Sequence, residues 1–414
     1  MSIPVRPDTT KHSLHVRTIT PAQHAAFLER CRSASFLQTP AWAAVKPEWE
    51  AESIGWFTAS SSEPGTEADD ELVGVGLVLY RQLPKVKRYL AYLPEGPVID
   101  WASSDLVSWL GPMTEHVKAK GAFGVRIGAP VVYRRWDDDT IKDGIKDESI
   151  SALTDAPPTL REAAGASVIT QLRDAGWIQQ GLGEGFSAGQ PRFNFQVPLR
   201  HGPLAGKKPE EIDSGRDGEP LTEDEVLGQM NQQWRRNIRK ADKAGVQVTR
   251  GSLDPGDGDL AAFHALYVET AERDGFTPRP ASYFEKMTTA LGAEHPDRIR
   301  LYLAHHEGDL LAATIWISVG RHAWYSYGAS STTRREVQAS NGIQWQMMRD
   351  SLALGCDVYD LRGITDTLDP DDDEVGLIRF KVGTGGHAVE YVGEWDLPLR
   401  KLTYKAFELY MSRR

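Results

Sequence analysis

The stretch that most constrains this chain runs from residue 221 to 251, LTEDEVLGQMNQQWRRNIRKADKAGVQVTRG. Thr222 and Glu225 form a capping-box pair, in which the hydroxyl takes one unpaired backbone N–H and the carboxylate reaches back for another. Leu227, Met230, Trp234 and Ile238 recur at helical spacing and make one apolar stripe. Arg235, Arg239 and Lys243 climb a different face, with Arg236 and Lys240 beside them. Gly245 is a helix stop, and Val246 and Val248 then alternate as in a strand. The spacing predicts one long amphipathic helix with a strongly basic face, feeding a strand.

That face belongs to a chain whose formal net charge is -11. No acid lies four residues from any of the five cations, so they repel one another instead of pairing. A solvated surface is the ordinary explanation of an isolated basic helix. Unrelieved like charge favours an anionic ligand instead: the phosphates of a nucleotide, a lipid or an RNA. The acidic balance elsewhere argues against a general nucleic-acid coat and leaves room for a local basic groove.

At 414 residues the chain is too long for one ordinary domain, and two are expected. Its two cysteines, Cys31 and Cys356, suggest neither a disulfide framework nor a zinc site. There is no N-terminal apolar core of signal-peptide length and no run of eighteen apolar residues, so a cytoplasmic protein is expected. Strand-like and helix-like segments alternate, which makes the fold α/β. Residues 137–165 turn acidic and Pro/Ala-rich and read as an insertion or linker, dividing a first domain, 1–160, from a second, 161–394. Residues 399–414 form an amphipathic helix with a basic tail.

Other stretches carry candidate chemistry. SFLQTPAWAAVKPEW sets Trp42, Lys46 and Trp49 close together, an arrangement met more often in packing than in a site. KVKRYLAYLPEGPVIDW holds a second basic cluster, Lys85, Lys87 and Arg88, and then Asp100, which reads equally as a turn cap or a substrate contact. Gln180, Gly183 and Gly185 satisfy the acyl-CoA pyrophosphate pattern Q-x-x-G-x-G, but Gly189 and Pro191 follow where that pattern needs a helix. In AWYSYGASS, Tyr325 and Tyr327 alternate toward one face of a strand. YDLRG, residues 359–363, ends another strand. The acidic DTLDPDDDE reads as a mobile loop and lacks calcium-loop spacing. RFKVGTGGH places Phe380 and Lys381 before a Gly-rich turn.

These stretches, in this order, resemble the Fem family (FemABX) of non-ribosomal peptidyltransferases. NQQWRRNIRKADKAGVQV is similar to its signature helix, the Trp42–Lys46–Trp49 segment to its phosphate-contacting Lys between two Trp, and GPVID to its Gly-Pro-Val-x-Asp motif. RFKVGTGG is a near-complete match to its Phe-Lys-x-Gly-x-Gly-Gly motif, whereas YDLRG departs from Tyr-Asp-Phe-Gly-Gly by placing Arg362 within it. Where relatives have Tyr or Arg before Gly-Pro, this chain has Glu95.

The resemblance covers about residues 15–410. It implies two acetyltransferase-like (GNAT-like) domains around a cleft, with residues 395–414 returning to the first domain and no coiled-coil arm. It also implies the activity: an amino acid, expected to be glycine, passes from aminoacyl-tRNA to the peptide stem of lipid II or UDP-MurNAc-pentapeptide. No cofactor is then needed, and a monomer in contact with the inner membrane face is expected. Lys46, Trp42, Asp100, Arg236, Arg239, Lys240 and Tyr327 become candidate acceptor contacts. Lys381 becomes the candidate that stabilises the oxyanion or the leaving 3′-hydroxyl, with Phe380 stacking on the terminal adenine or packing behind it. The alternative on the same fold is a CoA-dependent N-acyltransferase.

Overall fold

The computed structural model describes residues 13–58, 70–83, 86–181, 189–202 and 214–411. The chain divides into two compact units, one of residues 1–134, 160–192 and 390–414, the other of 135–159 and 193–389. The units exchange segments, so the single cut expected at 160 does not describe them. Residues 137–165 are not a linker either. Asp137 caps helix Asp138–Lys146, and Ile141, Leu153 and Ala156 are buried with Trp136 in the second unit's core. The acidic stretch that follows Ile364 begins tied down: Leu153 N–H donates to the Asp366 carbonyl at 2.7 Å, and Leu368 N–H to the Ser151 carbonyl at 2.8 Å.

The first unit is a seven-stranded sheet in the order Leu14–Thr18, Glu50–Thr58, Glu71–Leu83, Val86–Leu93, Ala122–Gly128, Glu394–Pro398, Ile178–Gln179. Its strands are antiparallel except Val86–Leu93 against Ala122–Gly128, which run parallel and are joined through helix Leu106–Ala119. That helix starts on Asp105, whose carboxylate accepts from Ser108 N–H, and buries Trp109, Leu110, Met113 and Val117. Helix Pro21–Arg30 starts on the Thr20–Gln23 capping box. Helix Lys401–Met411 packs Tyr404 and Phe407 on Leu90 and Phe123 of the same unit.

The second unit repeats the scheme. Strands Gln247–Gly251, Ile299–His306, Asp309–Val319, His322–Ser330, Val358–Ile364 and Phe193–Pro198 lie in that order, and again one neighbouring pair is parallel, His322–Ser330 with Val358–Ile364. Helix Ala339–Ala353 joins the two, as a parallel connection requires. Tyr302 and Ala304 face this helix and the signature helix, while the buried Leu301 and Leu303 alternate to the other face. In both units a parallel pair of strands is crossed over by a helix, the α/β architecture expected. Among the described residues the longest helix, Asp259–Asp274, has 16 residues and packs on the sheet instead of forming an arm. No described helix is long and apolar enough to cross a membrane.

Candidate active site

The signature stretch is two helices, not one. Thr222 and Glu225 make the expected capping box for Glu223–Gln229, which ends at Met230. Asn231 then caps a new helix, Gln232–Ala244, by accepting from Trp234 N–H at 2.8 Å. An Asn three residues before the first buried Trp is a start signal that the apolar periodicity concealed. Trp234, Ile238 and Ala241 are buried, and Gly245 ends the helix in the left-handed conformation, at φ 79°. Arg235, Arg236, Arg239, Lys240 and Lys243 line a depression of about 610 Å³ on the outer face. None of the five has an acidic partner among the described residues. The helix therefore presents concentrated positive charge to whatever enters.

The Gly-rich turn closes on this helix and not on open space. A Cβ on Gly383 would overlap the Trp234 indole, one on Gly385 the Gln229 carbonyl oxygen, and one on Gly386 the Gln196 carbonyl oxygen. Asn231 N–H donates to the Gly383 carbonyl at 3.0 Å, and Trp234 Nε1 to the Phe380 carbonyl at 2.9 Å. The Phe380 ring lies against Trp234, centroids 4.8 Å apart. Phe380 is thus a half-buried packing partner of the signature helix, a contact that the sequence reading did not name.

Lys381 lies in the last turn of helix Val375–Val382 and points inward, 3% exposed. Its ammonium donates to the carbonyls of Leu361 (2.8 Å), Arg362 (3.3 Å) and Gly363 (2.7 Å). An ammonium has three protons, and three acceptors use them all. The expected direct contact of Lys381 with an oxyanion or a leaving hydroxyl is therefore corrected: this side chain shapes backbone. Burial pulls it down to about 7, opposed by the nearby Asp360 carboxylate.

The backbone it holds is a bulge. Asp360 pairs with Gln196 and Gly363 with Asn194, so this strand carries one residue more than its partner, and Arg362 sits at φ 61°. That left-handed conformation suits glycine, the residue of the family motif, and is uncommon for arginine. Arg362 N–H donates to Asp360 Oδ1 at 2.6 Å. Asp360 is buried, and although burial alone would raise its carboxyl, His322 Nε2 at 3.3 Å and neighbouring cations hold it below the usual range. The sheet also opens beside the bulge. The parallel strands pair only where His322, Ala323 and Trp324 meet Val358, Tyr359 and Asp360, and beyond that they part. Lys381 shapes the bulged edge of the resulting wedge.

Tyr327 lies on the strand leaving that wedge. Its hydroxyl is 3.0 Å from that of Tyr283, and its ring packs edge-on against Phe284, Tyr267 and Tyr283. Tyr325 does not share its face as expected. Ile315 pairs with Tyr327 and Trp316 with Tyr325, so Ser326 is an extra residue that breaks the alternation. The Tyr325 hydroxyl lies where a Cβ of Gly328 would point, on the side opposite Tyr327.

The first unit's candidates divide as well. Trp42 is 4% exposed and packs edge-on against Phe36 at 5.4 Å, so it is core and not an acceptor contact. Lys46 follows helix Trp42–Val45 as its C-cap and is half-buried. Trp49 faces Tyr92 and lies under the Arg81 guanidinium. Asp100 Oδ1 accepts from Ala102 N–H at 3.2 Å, which supports the turn-cap alternative. Glu95, at φ 46°, is buried and accepts from Ser35 Oγ at 2.5 Å, tying down the turn before Gly96. Gln180 accepts from Arg126 at 3.0 Å. Gly183, Gly185 and Lys85 lie outside the described residues. Burial pushes the Cys31 and Cys356 thiols up to about 12, far from any nucleophilic role.

Comparison with known proteins agrees with this geometry. The crystal structure of FemX superposes with a TM-score of 0.72 and 23% identity, covering 95% of this chain and 100% of that one, which shows the shared fold. Lipid II:glycine glycyltransferase of Staphylococcus saprophyticus is 24% identical over 455 residues, 94% of each chain. The enzymes of the same name from Staphylococcus epidermidis and Staphylococcus aureus are 24% identical over 95% of each chain. A family model described as the FemAB family matches residues 19–203, 207–309 and 297–411, and with that coverage the chain belongs to the FemAB family.

Proposed function

We propose that this protein transfers glycine from glycyl-tRNA to the peptide stem of lipid II, at the inner face of the cell membrane, and so starts an interpeptide bridge. The observation that carries the reading is the five-cation face of helix Gln232–Ala244 in an otherwise acidic chain. Both proposed substrates present phosphates, and neither needs a cofactor. Relatives that match over nearly their full length are named as lipid II glycyltransferases, which supports the same choice.

The reaction is aminolysis of an ester. The stem amine attacks the glycyl carbonyl, a C–N bond forms, and the C–O bond to the tRNA 3′-hydroxyl breaks. The proton lost by the amine leaves with that hydroxyl. No side-chain nucleophile is required, in keeping with two inert thiols. The protein's task is to hold two anions and orient the reacting atoms. Arg236, Arg239 and Lys240 are assigned to phosphate, and Lys46 to the acceptor. Lys381 acts as a positioning residue through the carbonyls it gathers.

Incubating the protein with glycyl-tRNA and lipid II should add one glycine to the precursor, read by mass spectrometry. Arg236→Glu/Arg239→Glu should weaken tRNA binding and flatten its dependence on log salt by roughly one to two. A precursor of unchanged mass would refute the reading, and acetyl-CoA binding by calorimetry would favour the CoA-dependent alternative.

A further inference from the structure

The basic cluster around residue 87 and the amphipathic C-terminal helix have no part in the site above, and both belong to the first unit. Helix Lys401–Met411 buries Tyr404 and Phe407 on one side. On another, Leu402 is 87% exposed and Leu409 54%, with exposed Ala406 between them, at the i, i+4, i+7 spacing of a single stripe. Leu83 packs against the same small core, and Val86, its strand partner, is 50% exposed. Val86, at the start of strand Val86–Leu93, is a further exposed apolar group of the same unit.

Cations frame these groups. Arg400, Lys401, Lys405 and Lys87 are exposed and have no acidic partner among the described residues, and Glu408 is the one acid of the helix. A chain of net charge -11 is repelled by an anionic surface everywhere except where its cations are concentrated. Exposed leucines ringed by lysines match an interfacial helix, whose apolar side enters the acyl boundary while its cations meet lipid phosphates.

We propose that this face docks the protein on an anionic phospholipid bilayer. The proposal rests on the lipid-linked acceptor of the preceding section, because such an acceptor holds its reacting head group at the bilayer surface. With so few apolar groups the attachment is weak and reversible, which suits repeated capture of a membrane-borne substrate.

The test is co-sedimentation of the full chain with vesicles of phosphatidylglycerol and phosphatidylcholine, against vesicles of phosphatidylcholine alone. Binding should require phosphatidylglycerol and weaken with salt. Lys401→Glu/Lys405→Glu should lower partitioning by roughly twentyfold, and Leu402→Asp/Leu409→Asp by roughly tenfold or more. Both pairs are on the surface, so unfolding midpoints and transfer to a water-soluble, short-chain acceptor should stay at wild type. Wild-type protein that ignores anionic vesicles, or variants that bind as wild type does, would overturn the proposal. So would a dimer in sedimentation velocity that the leucine variants abolish, which would assign the face to a second copy. Glycine transfer without vesicle binding would remove only the docking face; vesicle binding without transfer would remove only the proposed activity.

Discussion

Lys381 Nζ lies 2.7 Å from the Gly363 carbonyl oxygen and donates to it, at the end of a bulge whose other two carbonyls it also holds. Replacing Lys381 by Met leaves three carbonyls without this donor in a buried setting. The expected loss is about 3 kcal/mol of unfolding free energy, together with a large fall in kcat as the wedge loses its shape. Urea unfolding and steady-state transfer measure the two. A Lys381→Met protein with wild-type stability and a kcat lowered a hundredfold would return the residue to direct transition-state contact.

The Gly-rich turn makes a second, contrasting pair of expectations. Gly385 has φ 76° and faces the Gln229 carbonyl, whereas Gly376, in the same segment, has nothing within 4 Å of a Cβ position. Gly385→Ala should cost about 3 kcal/mol or more, because both conformation and backbone contact oppose it. Gly376→Ala, in helix Val375–Val382, should be neutral or stabilising by up to about 1 kcal/mol. Equal unfolding midpoints for the two would contradict the packing described here.

Lys46 and Trp42 are neighbours in sequence with different fates. Lys46→Ala should raise KM for the phosphate-bearing acceptor by roughly tenfold and leave a phosphate-free stem peptide unaffected. Trp42→Ala should instead destabilise the first unit by about 3–5 kcal/mol, as loss of a buried aromatic does. Equal kinetic losses on both acceptors for Lys46→Ala would remove it from phosphate binding.

Two histidines make the protein acid-sensitive. Burial pulls His24 down to about 3 and His387, with help from Arg135, down to about 4, against 6.5 in the unfolded chain. Between these values the unfolded state binds more protons than the native one. Stability should therefore be complete above about pH 6.5 and fall as pH drops toward 4, by about 1.4 kcal/mol per unit for each histidine. His24→Gln should remove one such contribution from the slope. Urea midpoints that stay level from about pH 6.5 to 4.5 would contradict neutral burial.

Local patterns carried much of this protein on their face. The Thr222–Glu225 box, the Thr20 cap, the Gly245 stop and the strand alternation are written within a few residues, where short-range hydrogen bonds and side-chain period decide the outcome. The five-cation face was legible for the same reason, since helical spacing alone places those residues together.

What lay beyond the sequence depends on partners far along the chain. Whether Lys381 meets a substrate or three carbonyls is decided by where residues 361–363 bulge, and a bulge is a mismatch between two strands. The same kind of mismatch sent Tyr325 and Tyr327 to opposite faces. What glycines 383, 385 and 386 face is set at the same range, by the Trp234 indole and the Gln229 and Gln196 carbonyls. The acidic stretch 137–165 read as an insertion or linker, and only the fold shows Ile141 and Leu153 joining Trp136 in a core with residues of 193–389. Sequence by itself determined which side chains are carried on each local element; only tertiary packing decided which of them remain open to solvent, because burial is set by contacts that local spacing does not encode.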